Sequence, residues 1–299
     1  MRGRDARTLM PRAARSDLPM AVRPWHDVGV PANRDFYASG PLGVDSLEFL
    51  SDAARATTVR VNLGDRIHSL AGLRHLPTGL QRLALSAIWV RRPSLLPVAR
   101  FPGLTELHLG GPGALSDMDA LGSLSALEQV QLYQRPDLDL RPLAHAQKLW
   151  HLEIAHGSLA QGSAQLAGLT GLRFLELVYL RTVEDLPDLS NLPALERLDL
   201  AYMSNLKRLP NLSGATRLRA VMIEKCRSLD DLTSLAHAPA LEQVLLIDMP
   251  HLRASHVTPL LGHPTLRQIS VGTGSARRNA EISKVLGLPE VDRIHFYGM

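Results

Sequence analysis

His151, Glu153 and His156 fall within one six-residue run, His-Leu-Glu-Ile-Ala-His. Imidazole and carboxylate groups this close could together hold a divalent cation or exchange a proton. What they can do depends on the backbone beneath them. Zinc hydrolases place two histidines four apart on a helix, so that both face the ion. Here the histidines are five apart. In an extended strand, His151 and Glu153 lie two apart and share a face, with Glu176 alongside from the next strand. Those three could coordinate a divalent ion, but the pattern supplies neither a general base nor a closed pocket. Metal binding or catalysis through His151 and Glu153 therefore stands as the alternative, and no metal or cofactor is expected.

The strand reading comes from a repeat. Residues 195–218 carry Leu195, Leu198 and Leu200, then Met203, Leu206, Leu209 and Leu212, and the pattern restarts at Leu218. Leu198 and Leu200 fall on one face of a strand, and the later spacing of about three suits short 3₁₀ or helical turns. Strand segments in this register begin at Thr58, Leu80, Leu104, Leu127, Leu149, Leu172, Leu195, Leu218, Leu241, Leu266 and Val291, at spacings of 22 to 25 residues. Proline stands two residues before the strand at Pro102, Pro193, Pro239, Pro264 and Pro289, ending the return segment. A coil of this size cannot bury its leucines alone, so it needs a neighbour on each side.

Composition narrows the function classes. The chain has 299 residues, 45% hydrophobic and only 4% aromatic, so Leu and Val must fill the interior. One cysteine, Cys226, excludes an internal disulfide framework and an all-cysteine zinc site. It occupies an inward slot shared with Leu180, Met203 and Met249, which suits a small buried hydrophobe better than a nucleophile. The net charge of +4 equals that of residues 1–15, where Arg2, Arg4, Arg7, Arg12 and Arg15 face one Asp5. The remainder is neutral, and a nucleic-acid groove, which concentrates basic residues on the folded surface, is not expected. No apolar run is long enough to span a membrane, and no secretory signal is evident, so a cytoplasmic setting is expected.

The pattern Leu-x-x-Leu-x-Leu over about residues 58–296 resembles the leucine-rich repeat family, in its short irregular class. It is similar to bacterial proteins of that family. The run Leu206-Lys-Arg-Leu-Pro-Asn-Leu-Ser213 is also similar to repeats of plant intracellular immune receptors. The resemblance implies an α/β fold: a curved, right-handed solenoid with a parallel β-sheet on its concave face and 3₁₀ or short helical turns on the convex one. Many repeats of this family carry an Asn that ties neighbouring turns together. In this chain that slot holds Leu180, Met203, Cys226 and Met249 among others, so the asparagine ladder is missing.

Function then moves to the concave face, where alternate strand residues point away from the core. Glu153, Glu176 and Asp199 would line up there on adjacent strands, with His151, Phe174 and Arg197 beside them and Arg197 placed to offset part of the charge. His156, Tyr179 and Tyr202 lie near the strand ends. Toward the C-terminus the same surface turns apolar, with Met222, Leu245 and Ile247. An acidic centre flanked by aromatic and apolar anchors suits a protein or peptide partner with a basic surface. The expected function is a non-enzymatic protein-interaction module. Its alternative is a structural or regulatory subunit that binds through its N-terminal leader or solenoid ends.

The ends complete the expectation. Residues 1–40 hold four prolines and no sustained period, which reads as a leader. Residues 41–57 read as a capping helix, begun by Asp45 or Ser46, with Leu47, Leu50 and Ala54 on one side. Residues 58–299 form the repeat domain of about eleven coils. Ser275 and Gly287 bracket a helix near the C-terminus. The final strand, Val291–Phe296, leaves an edge through which a weak homodimer is expected.

Overall fold

The computed structural model describes residues 34–133, 138–159 and 163–291. Asn33–Met299 is one unit, built on a single eleven-stranded sheet whose strands follow chain order. They are β1 (Asp35–Ser39), β2 (Thr58–Ile67), β3 (Arg82–Trp89), β4 (Glu106–Gly110), β5 (Gln129–Tyr133), β6 (His151–Ala155), β7 (Phe174–Val178), β8 (Arg197–Ala201), β9 (Ala220–Glu224), β10 (Gln243–Ile247) and β11 (Gln268–Val271). Neighbours pair in parallel throughout. Parallel strands need a crossover, and here it is mostly a 3₁₀ turn such as Ala71–His75, Leu96–Arg100 or Arg141–His145, or a single helical turn such as Thr233–Ala236.

The leucine periodicity explains why. In the repeat that starts at Leu195, Leu195, Leu198, Leu200, Met203, Leu206, Leu212 and Leu218 are all inaccessible to solvent, and Leu209 is nearly so. Equivalent residues of successive coils stack into one continuous core. Each fully buried leucine contributes about 1.5–3 kcal/mol, so the stack holds only because every coil covers the next. A backbone bond repeats beside it: the N–H one residue before each strand start reaches the preceding coil, from Thr105 N–H to the Gln81 carbonyl (2.8 Å) through to Arg267 N–H and the Glu242 carbonyl (2.9 Å).

Both ends differ in detail from the expectation. Asp35–Ser39, inside the stretch read as leader, is a strand that pairs with β2, Phe36 opposite Val59. The cap is a 3₁₀ helix, Glu48–Ala53, and no side chain caps its first turn. Leu47 and Leu50 nevertheless point into the core. Near the C-terminus, a helix spans Ala276–Leu286, with the Ser275 hydroxyl accepting from Arg278 N–H and Gly287 left-handed at φ 64°. Of the expected last strand only Val291 lies within the described residues, and it is not in a strand.

Candidate interaction face

Strand register sorts the outward face of β6–β10 into three rows. Row one is His151, Phe174, Arg197, Ala220 and Gln243; row two is Glu153, Glu176, Asp199, Met222 and Leu245; row three is Ala155, Val178, Ala201, Glu224 and Ile247. The three acidic residues are thus direct neighbours on adjacent strands, which run about 4.8 Å apart. Beyond Asp199 the same row continues as Met222 and Leu245, both half-buried.

The row is not uniform in exposure. Arg197 and Asp199 are buried, 4% and 1% exposed. Arg197 Nε donates to Asp199 Oδ1 at 2.8 Å, and its second nitrogen donates to Oδ2. Two residues apart on one strand, they form a bidentate pair. Asp199 therefore does not extend the accessible acidic patch that Glu153 and Glu176 begin, and Arg197 spends its charge on Asp199. A shallow depression bounded by Arg197, Asp199, Met222 and Leu245 opens above Ala220.

Glu153 and Glu176 keep different company. The His151 ring stacks on Trp150 (5.6 Å between centroids) and meets Phe174 edge-on (6.2 Å). Its Nε2 lies 3.6 Å from Glu176 Oε1. Side-chain donor atoms of His151, Glu153 and Glu176 come within 4.8 Å of one another. His156 is not among them.

His156 instead begins a ladder at the strand exits. Its ring stacks on Tyr179 at 4.2 Å and 14°, and Tyr179 stacks on Tyr202 at 4.2 Å and 19°. Lys225 Nζ sits 4.6 Å above the Tyr202 ring and donates to a tyrosine hydroxyl, that of Tyr202, at 3.0 Å. The Tyr179 and Tyr202 rings rest on the cluster of Ala155, Val178 and Ala201 in row three. His156, Tyr179, Tyr202, Lys225 and Asp248 all take positive φ, between 51° and 58°. Such a conformation costs a side-chain-bearing residue about 1 kcal/mol or more. The coil that begins at Leu104 fills the same slot with Gly111 (φ 100°), where a Cβ would sit 1.9 Å from the Ala87 carbonyl. What offsets the strain is a backbone bond across coils: His156 N–H to Val178, Tyr179 N–H to Ala201, Tyr202 N–H to Glu224 and Lys225 N–H to Ile247, at 2.8–3.0 Å. The Cys226 thiol, fully buried, donates to the Leu200 and Glu224 carbonyls.

Sequence reasoning missed the ladder's continuation into Lys225, although the seven-residue offset from each repeat's first Leu aligns all its members. It also missed His108, buried on β4 between Ser86 Oγ (3.1 Å) and Gln131 Oε1 (3.0 Å).

Among solved structures, the chain is similar to an internalin, inlF, from Listeria monocytogenes, with a TM-score of 0.56 and 22% identity over 81% of this chain and 68% of that one. The chain is a leucine-rich-repeat solenoid. A chain of the Drosophila Toll–Spatzle complex is also similar, with a TM-score of 0.50 and 14% identity over 86% of the solenoid and 43% of that chain. No protein-family model matches the solenoid, and no curated protein does. Its missing asparagine ladder now has a physical replacement. Leu180, Met203, Cys226 and Met249 fill that slot as buried side chains, and the N–H bonds between coils come from the left-handed Tyr179, Tyr202 and Lys225 just before the first three and from Met249 itself in the fourth. Among the described residues, no helix is long and apolar enough to cross a membrane.

Proposed function

We propose that the solenoid is a non-enzymatic protein-interaction module that holds a protein or peptide across the outward face of β6–β10. The observation that carries this reading is the change within one row, from Glu153 and Glu176 to Met222 and Leu245, at fixed spacing on a rigid sheet. Phe174 and the rings of Tyr179 and Tyr202 flank that row with half-buried aromatic surface. Aromatic and methionine side chains on a preorganised face supply anchors at little entropic cost, and the carboxylates favour a partner with a basic segment. The solved neighbours support the fold rather than the partner.

The test compares baits side by side: wild type, Phe174→Ala, Met222→Glu, and Leu96→Ser, which alters an exposed residue on a return segment. A partner recovered by wild type and Leu96→Ser but lost from the two face variants supports the proposal. Equal recovery by all four contradicts it.

A further inference from the structure

We propose that His151, Glu153 and Glu176 form a binding site for a divalent transition-metal ion of the zinc type. The three residues sit on adjacent strands of one sheet, Glu153 and Glu176 as direct partners and His151 one row away. Their donor atoms already lie within 4.8 Å of one another. Zinc bonds to nitrogen and oxygen of about 2.0–2.2 Å place tetrahedral ligands roughly 3.4 Å apart. The His151 Nε2 to Glu176 Oε1 separation of 3.6 Å is close to that edge length. Glu153, with a donor atom inside the same 4.8 Å, completes the set.

A second observation points to the same ligand. His151 Nε2 is buried and has no hydrogen-bond partner among the described residues. A buried polar atom of this kind costs free energy unless something binds it. The ring cannot easily turn to solvent, because Trp150 stacks on it and Phe174 closes its edge. Its Nε2 is held on the side of Glu176, 3.6 Å from Oε1. Two carboxylates in directly paired strand positions also repel, and a shared cation turns that repulsion into attraction. The donor set selects the ion: an imidazole nitrogen favours zinc, cobalt or nickel over magnesium and calcium, which prefer all-oxygen sites. With three protein ligands, a fourth position remains for water or for a partner's side chain. The site is independent of whether a protein occupies the rest of the face.

The experiment uses the full chain after chelator treatment, titrated with zinc chloride by calorimetry and with cobalt chloride by Trp150-dependent fluorescence and visible absorption. The expected result is one saturable zinc site per chain, at least tenfold weaker in His151→Gln and in Glu176→Gln, and unchanged in His237→Gln, a solvent-exposed histidine elsewhere. Cobalt is expected to quench fluorescence and give the visible bands of a four-coordinate ion, both lost in His151→Gln. Far-ultraviolet circular dichroism establishes that each variant is folded. No saturable binding by the wild type overturns the proposal, as does binding that His151→Gln leaves unchanged, which marks adventitious metal only.

Discussion

Arg197 and Asp199 point the same way from one strand and close on each other in a bidentate pair, out of solvent, on the face that should belong to a partner. Burying both charges is costly, and removing one is costlier than removing both. Arg197→Met is expected to lower stability by about 3–5 kcal/mol, because the Asp199 carboxylate is left in place without its guanidinium. Combining it with Asp199→Leu should recover most of that loss. Urea midpoints of the two variants check this; a double variant as unstable as the single one would contradict it.

The stacked rings make a second prediction. Tyr179 is the middle rung, so Tyr179→Ala loses two stacks at once, a cost of about 2 kcal/mol with the buried area included. Tyr179→Phe keeps both and should remain within about 0.5 kcal/mol of wild type. Thermal melting gives the magnitude, and near-ultraviolet circular dichroism follows the loss of the stack.

The ladder also carries a pH dependence. Partial burial, with the nearby Arg181 charge, holds the His156 imidazole below the usual histidine range. The unfolded chain then binds a proton that the folded chain resists. Stability is therefore fully present above about pH 6.5 and falls as pH drops from there through the lower folded value. His156→Asn keeps a side chain that tolerates left-handed backbone and removes the titration. The variant's melting temperature should vary less than wild type's between pH 5 and 7.

Cys226 should be inert in the folded protein. Burial pushes its thiol up to about 11, so the thiolate is scarce at neutral pH. Iodoacetamide at pH 8 is expected to leave the native chain unmodified and to label it fully in denaturant. Rapid labelling under native conditions would contradict the inward placement.

The repeat was legible because leucine recurs in two registers at once, two apart for strands and about three apart for the turns, and each register places a side chain without reference to the rest of the fold. The rows of the face followed from the same arithmetic: Glu153, Glu176 and Asp199 share an offset, so a parallel sheet must align them. Depth did not follow. Periodicity states which way Asp199 points, yet not that it ends up 1% exposed beside Arg197. Nor did β1, because Asp35–Ser39 has no Leu-x-x-Leu-x-Leu pattern and is defined by its pairing to Thr58–Asn62. The left-handed slot was hidden for another reason. Tyr, Tyr and Lys are poor signals for positive φ, and only the bonds between coils reveal why they adopt it.

The central claim, that the outward face of β6–β10 holds a protein partner, is tested most directly by site-specific photo-crosslinking. A photoreactive residue is placed at Phe174 or at Met222 on the face, and at Leu96 or Arg277 away from it, and adducts are formed in the native cell extract. The account predicts one shared adduct from Phe174 and Met222 that is absent from Leu96 and Arg277. Adducts from Leu96 or Arg277 alone, or the same adducts from all four positions, would contradict it.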